Sequence, residues 1–298
     1  MTSVAVPARA EARRRLASGG PYAVVASPFL LLATLYLVPA GILAVYSLWR
    51  IGDDYQMHAT WTLEQYEAIL HSDVALRLLG RTFAVALGNT AVCLVVAFPL
   101  AYFLARMLRS KWRNLLLVLL IAPSWTSHLI RVYAWMLILG NAGLVNYAAR
   151  NAGLPGTPYE SLIFNRFSLM VALVYVYLPF MLLPIYASLE KIDQAQVEAA
   201  RSLGAPGWRV FLRVVVPLAR PGIVAGCMLT FIPTLGEYVA AALLGGRSGY
   251  MYGNYVADKF TIFDWPAGSA LGMVLLVAAL LLVAAFSRLV RLRDVWAG

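Results

Sequence analysis

Residues 198–217 read EAARSLGAPGWRVFLRVVVP, a polar and basic stretch between two long apolar runs. Residues 190–203 consist mainly of good helix formers, which predicts a helix there. Gly204 suits the position after a helix end, because glycine adopts positive φ without strain. Pro206 suits the first position of a second helix, and Pro217 is expected to close that helix. The stretch therefore predicts a helix–turn–helix outside the bilayer, between two membrane spans.

The composition places the chain among membrane proteins. Hydrophobic residues make up 61% of it, and the mean hydropathy is +0.74. A helix needs about 20 mostly apolar residues to cross the hydrocarbon core. The segments that meet this requirement are 24–48, 82–105, 115–139, 168–189, 222–244 and 267–286. The predicted fold class is therefore an all-α integral membrane bundle of six transmembrane helices.

The basic residues predict how the chain is oriented. Most of the 24 Lys and Arg residues fall in the two terminal tails and in the loops 106–114 and 190–221. Positive residues concentrate on the cytoplasmic side, so both termini and both of these loops are expected to be cytoplasmic. The net charge of +10 then reflects topology and contact with anionic membrane lipids, and no nucleic-acid partner is expected. The predicted divisions are a tail at 1–23, a membrane domain at 24–286 and a tail at 287–298.

Signals for catalysis, metal binding and nucleotide binding are missing from the sequence. Cys93 and Cys227 both lie within apolar runs, which favours buried hydrophobic side chains over a disulfide or a metal site. No Gly-x-x-x-x-Gly-Lys-Ser/Thr loop occurs, so the chain is not expected to bind ATP by that route. We therefore predict no metal, no cofactor and no catalytic site in this chain.

The 198–217 stretch resembles the EAA loop of bacterial ABC-importer permeases. Glu198, Ala199, Ala200, Gly204 and Pro217 fill the positions of that pattern. The resemblance implies the six-helix type I importer fold. It also implies that this cytoplasmic coupling loop docks into a cleft on an ATPase subunit, which binds the ATP and transmits its motion through the loop.

Three further stretches resemble the polyamine (spermidine/putrescine) branch of these permeases. They are PSWTS at 123–127 leading to RVYAW at 131–135, FIPTLGEYV at 231–239, and WPAGSA at 265–270. With the EAA loop, the resemblance covers nearly all of the chain after Thr82. It implies a permease for spermidine or putrescine in the bacterial inner membrane. Related permeases for opines, other organic cations, phosphate or iron share much of the pattern, so these substrates remain alternatives.

The resemblance also implies partners and a mechanism. The partners are cytoplasmic ATPase subunits, a periplasmic solute-binding protein and a second permease subunit, most simply a similar but different chain. Closure of the ATPases would push the loop, tilt spans three to five and open the pathway outward. A stand-alone secondary carrier and a membrane enzyme are competing hypotheses. Six spans without a repeat are few for a carrier, and the missing catalytic residues disfavour an enzyme.

Glu237 is an ionisable residue inside the apolar segment 222–244. A charge at mid-bilayer costs about 2.5–3.5 kcal/mol or more, so Glu237 is expected to face a cavity or a partner charge. Pro233 removes a backbone hydrogen bond and Gly236 weakens the helix beside it. A broken helix at this depth is tolerated where it lines a water-filled path. The pattern predicts a carboxylate that binds an ammonium group of the solute.

Arg131 offers the alternative for Glu237, a structural ion pair. At about 1.5 Å per residue, the two residues lie at similar depths in their spans. The two interpretations can coexist if the pair opens during transport. His128 precedes Arg131 by one helical turn and is interpreted mainly as a packing residue. The predicted substrate pathway also includes aromatic rings suited to cation–π contacts with a polyamine, at Trp125, Tyr133, Trp135 and Tyr238.

Overall fold

The computed structural model describes residues 21–152 and 162–295 of the 298-residue chain. The predicted N-terminal tail comprises residues 1–23. Residues 1–20 of this tail lie outside the described part of the chain. Within the described part, the helical stretches that are long and apolar enough to cross a membrane number six. They are Pro28–Tyr46, Asp73–Arg106, His128–Asn151, Arg166–Glu190, Gly207–Leu235 and Trp265–Ala285. The predicted all-α membrane fold is confirmed.

The regular elements are numbered here in chain order. The first half contains α1 (Pro21–Tyr46), β1 (Arg50–Ile51), β2 (Met57–His58), α2 (Glu64–His71), α3 (Asp73–Arg106), α4 (Ser110–Ile121), a 3₁₀ turn (Ala122–Trp125), α5 (His128–Leu139) and α6 (Leu144–Asn151). The second half contains α7 (Arg166–Glu190), α8 (Gln194–Ser202), α9 (Gly207–Val210), a π turn (Phe211–Val215), α10 (Val216–Leu235), α11 (Val239–Leu244), α12 (Gly246–Gly249), α13 (Tyr252–Thr261) and α14 (Trp265–Val295).

Helix α7 forms the centre of the bundle and packs against both α3 and α10. Its side chains at Met181 and Ile185 are fully buried. Helix α10 approaches α7 closely because Gly222 and Gly226 carry no side chain. A Cβ atom on Gly222 would lie 2.3 Å from the carbonyl oxygen of Pro184. Small residues allow this close backbone approach in membrane bundles, where packing rather than the hydrophobic effect drives helix association.

Helix α1 has an exposed apolar surface. The side chains of Phe29, Leu31 and Tyr36 are each about 70% exposed, and the helix packs mainly beside α14. Such a surface is unusual for a monomeric protein in water. In hydrocarbon, apolar side chains need no cover from other protein. The exposed apolar face of α1 is therefore suited to the hydrocarbon of a membrane.

The third predicted span is interrupted in the structure. The sequence predicted one continuous segment at 115–139, whereas α4 ends before Pro123 and α5 begins at His128. Pro123 lacks a backbone N–H and resists continuation of an α-helix, and Thr126 is extended. The apolar crossing segment begins instead at His128 and continues to Asn151. The predicted boundaries were wrong because hydropathy averages over a break of a few residues.

The fifth predicted span is shifted toward the N-terminus. The sequence predicted 222–244, whereas the continuous apolar stretch is Gly207–Leu235. Helix α10 ends there, and the chain becomes helical again at Val239. The predicted break at Gly236 is confirmed, although Pro233 lies inside α10 and the break follows it by three residues. This break leaves irregular backbone within the membrane domain.

Candidate functional site

The 190–221 loop is hereafter called the Glu198 loop. Its first half forms the predicted helix, but this helix begins at Gln194 and not at residue 190, because residues 191–193 separate it from the end of α7. Asp193 precedes α8, and its carboxylate accepts a hydrogen bond of 2.9 Å from the backbone N–H of Ala195. Helix α8 ends at Ser202, and Gly204 follows with a φ of 79°. A Cβ atom on Gly204 would meet nothing within 4 Å. Backbone conformation rather than lack of space therefore favours glycine here.

The second half of the Glu198 loop differs from the prediction at both prolines. Pro206 precedes α9 instead of occupying its first position. Pro217 does not close the helix, because the chain continues through the π turn into α10. Pro217 has no N–H for the carbonyl group of Arg213, and the N–H of Val216 bonds to the oxygen of Phe211, five residues back. The loop therefore enters the fifth span as one helical path.

The outer surface of the Glu198 loop is unusually apolar. Leu203 is 89% exposed, Trp208 62% and Leu212 55%. Glu198 and Ala199 are exposed beside them on α8. An apolar surface rimmed by polar residues is typical of a protein–protein contact site. The loop is thus exposed rather than hidden in the bundle, and another protein can reach it.

Glu237 forms the second candidate site, in the break between α10 and α11. It is 5% exposed, and both carboxylate oxygens accept hydrogen bonds. His128 Nε2 lies 3.2 Å from Oε2 and 3.3 Å from Oε1. The hydroxyl group of Tyr177 donates to Oε2 at 3.1 Å, and the N–H of Ala240 donates to Oε1 at 3.0 Å. An ionised carboxylate only accepts, so an ionised Glu237 requires the His128 tautomer with a hydrogen on Nε2.

Arg131 does not pair with Glu237, which corrects one of the two predicted alternatives. Among the described residues the basic partner of Glu237 is His128, and the Nε atom of Arg131 is buried without a hydrogen-bond partner. The prediction compared depths along two spans. It did not fix the direction in which each side chain points around its helix. The break before His128 also places that residue at a helix start, where the sequence had predicted mid-helix.

The four predicted pathway aromatics lie in different environments. Trp125 is 79% exposed, Tyr133 46% and Tyr238 50%. Trp135 instead packs edge to face against Tyr175, with ring centroids 5.6 Å apart. Within the described part of the chain, none of the four donates a hydrogen bond to the carboxylate at the break. The structure therefore leaves three rings exposed and uses the fourth in packing.

Tyr177 is a site residue that the sequence reasoning missed. It lies on α7, is 9% exposed and bonds directly to Glu237. The available signal was a hydroxyl group within an apolar span, because a buried tyrosine hydroxyl usually has a hydrogen-bond partner. That signal does not identify the partner, since Tyr177 and Glu237 are 60 residues apart.

The region that contains both sites matches a known protein family. Residues 97–294 match the Binding-protein-dependent transport system inner membrane component. This region covers about two thirds of the chain and includes the Glu198 loop and Glu237. The chain belongs to this family and is a multi-pass permease component of the inner membrane.

Two relatives and one solved structure are similar to this chain over most of its length. The chain is 38% identical over 235 residues to the spermidine/putrescine transport system permease protein PotB of Escherichia coli K12, covering 78% of this chain and 84% of that protein. The Haemophilus influenzae protein of the same name is 36% identical over 245 residues. The match covers 81% of this chain and 84% of that protein. The structure of a bacterial alginate ABC transporter in complex with a periplasmic protein matches with a TM-score of 0.73 at 17% identity. This match covers 91% of this chain and 93% of that chain. That last likeness shows the fold alone.

Proposed function

We propose that the protein is the membrane-spanning permease subunit of an ABC importer for polyamine-like organic cations such as spermidine and putrescine. A periplasmic binding protein delivers the solute, and separate cytoplasmic ATPase subunits drive its movement. The relatives named for spermidine/putrescine transport support this substrate class. The buried carboxylate of Glu237 at a break within the membrane domain is the observation that carries the proposal.

The Glu198 loop is the proposed docking site for the ATPase. Glu198 and Ala199 are exposed on α8, Ala200 is half-buried, and Gly204 ends the helix where the loop turns. Pro217 lies where the loop passes into α10. The exposed apolar side chains beside these residues supply the area that a stable protein contact buries in its centre.

Glu237 is the proposed cation site of the pathway. Its carboxylate already binds one side-chain nitrogen, Nε2 of His128, at 3.2 Å, besides the backbone N–H of Ala240. A primary ammonium group of a polyamine presents the same kind of N–H donor and carries a positive charge. The remainder of the proposed path consists of Arg131, Trp125, Tyr133, Trp135 and Tyr238. Exposed rings along it provide cation–π contacts for a flexible amine.

The proposed assembly contains two permease subunits with a pathway between them. The concentration of basic residues supports a cytoplasmic location for the Glu198 loop and both termini. The chain offers broad exposed apolar faces, which suit a second membrane subunit as well as lipid. A similar but different permease chain is the proposed partner.

Uptake in cells that lack polyamine import tests this function. The chain is expressed with its cognate ATPase, second permease subunit and binding protein, and uptake of labelled spermidine, putrescine and molybdate is measured. We expect amine uptake only, with complete dependence on the ATPase subunits. Glu198→Lys should abolish both uptake and capture of the ATPase, whereas Gln196→Lys on the same exposed helix should preserve both.

Two results would contradict the proposal. Amine uptake without the ATPase subunits would indicate a secondary carrier. Uptake of molybdate but of neither amine would leave the family assignment intact and refute the proposed substrate.

A further inference from the structure

One face of α3 is directed at the Glu198 loop. Phe98, Tyr102 and Arg106 recur at intervals of four residues near the end of this helix. Residues at this spacing lie on one helical face, one above the other. We call these three residues the α3 stripe. Its contacts divide between the first and second halves of the Glu198 loop.

Arg106 binds the first half of the loop. Its Nη2 atom donates to the backbone oxygens of Leu189 at 2.9 Å and Ile192 at 2.8 Å. Its Nη1 atom donates to Oε1 of Gln194 at 3.0 Å. The carbonyl groups at the end of α7 have no partner within that helix, and a planar guanidinium fork suits several such acceptors at once. Arg106 thus holds the end of α7 and the start of α8 together.

The two aromatic residues of the stripe bind the second half of the loop. The Phe211 ring at the start of the π turn packs edge to face on both, with centroid distances of 5.5 Å to Phe98 and 5.6 Å to Tyr102. Edge-to-face pairs of this kind add stabilisation beyond the area they bury. Helix α3 therefore contacts the loop on both sides of its turn.

Helix α3 also reaches the neighbourhood of Glu237. The buried side chain of Asn89 donates to Oγ1 of Thr234 at 3.0 Å, and Thr234 precedes Glu237 by three residues. The chain itself connects the loop to α7 and α10. The connection between the Glu198 loop and α3 depends on non-covalent contacts alone. Substitutions can therefore weaken this connection without altering the path of the backbone.

We infer that the α3 stripe carries movement of the Glu198 loop into α3 and thence toward the break at Glu237. This inference rests on the proposed docking of an ATPase at the loop. The sequence analysis indicated that the third, fourth and fifth spans move during transport. The inference adds α3, which is the second span, to these moving helices. The stripe residues are positioning residues and do not touch the solute.

The test uses the complete transporter, with ATPase and binding protein, reconstituted in lipid vesicles. Arg106→Gln removes the fork that joins α3 to the loop. Arg109→Gln is the matched control, because Arg109 is exposed and has no side-chain partner within the described residues. We expect Arg106→Gln to keep capture of the ATPase but to lower the amount of spermidine imported per ATP hydrolysed by at least about fivefold. Arg109→Gln should match the unmodified protein.

Phe211→Leu provides a second variant, since it keeps an apolar side chain but removes both ring contacts. It should lower the same ratio, which keeps the inference testable if Arg106→Gln does not reach the membrane. Unchanged ratios in the variants that assemble would overturn the inference and leave the proposed function intact. Loss of ATPase capture in both variants would also overturn it, because their role would then be to shape the docking surface. Failure of the unmodified chain to capture an ATPase would refute the proposed function itself.

Discussion

Among the described residues, two carboxylate–histidine pairs lie in very different surroundings. In the loop between α1 and α2, Nε2 of His58 lies 2.9 Å from Asp54, and the two side chains are 49% and 53% exposed. At the helix break, Nε2 of His128 lies 3.2 Å from Glu237, whose side chain is 4% exposed. The shorter pair is the exposed one. Distance alone therefore does not show which pair contributes more to the stability of the protein.

Burial explains why the longer pair is expected to contribute more. Water solvates both groups of the exposed pair whether or not they meet, so such pairs contribute little to stability. Glu237 has almost no contact with solvent, and its remaining partners are the hydroxyl group of Tyr177 and the N–H of Ala240. The His128 side chain is 32% exposed, whereas Glu237 is not, and losing a hydrogen bond to a charged group typically costs about 1.5–3 kcal/mol. The same two chemical groups thus form a solvated contact in one place and a candidate binding site in the other.

The largest expected effect comes from removing the buried charge. Glu237→Gln retains the size of the side chain, but it replaces one accepting oxygen with an NH2 donor and takes away the charge that would attract an ammonium group. Loss of a charge-assisted hydrogen bond of about 1.5–3 kcal/mol corresponds to a decrease of about tenfold or more. We expect spermidine uptake to fall by that factor, while Asp54→Asn leaves it unchanged. Equal uptake by both variants, at equal protein levels, would exclude Glu237 from the pathway.

The next effect concerns the imidazole partners. His128→Ala should lower the free energy of unfolding in a lipid environment by up to about 3 kcal/mol, because both carboxylate oxygens of Glu237 lose their contact with Nε2 of His128. Chemical denaturation of the purified protein in bicelles measures this change. A decrease below about 0.5 kcal/mol would show that burial does not distinguish the two pairs.

A smaller effect is expected at Tyr177. Tyr177→Phe removes one hydrogen bond to a charged group and keeps the ring, so stability should fall by about 2 kcal/mol. Tyr175→Phe is the control on the same helix, since the ring of Tyr175 packs on Trp135 and that contact survives the change. The two variants are compared by the same denaturation experiment. Similar losses in both would assign the effect to the helix surface rather than to Glu237.

The smallest effect is expected in the exposed loop. The hydrogen bond from His58 holds the pKa of Asp54 below its ordinary value. A depressed pKa means that the pair stabilises the fold above the unfolded-state pKa and loses this effect as the pH falls through the folded-state pKa. His58→Ala should raise the pKa of Asp54, as observed by NMR titration of its carboxyl carbon, without a measurable change in stability. A clear loss of stability at neutral pH would contradict the solvated character of this pair.

Much of the fold could be predicted because its causes are local. Long apolar runs require membrane spans, and the turn after α8 depends on the positive φ of Gly204. The break at Gly236 was likewise encoded nearby, by Pro233 and by the glycine itself. The break near Pro123 and the uninterrupted helical path through Pro217 were not predicted. Each proline permits more than one local outcome, and neighbouring helices select between them.

The sequence by itself determined that the chain crosses the membrane, that a polar helical loop interrupts the crossings, and that an ionisable residue at 237 must find a partner. Composition, periodicity and the cost of burying a charge are sufficient for these conclusions. Only the tertiary structure decided that His128 and Tyr177 surround Glu237 while Arg131 does not. Hydropathy fixes the depth of a residue along its helix, whereas packing fixes the direction in which its side chain points.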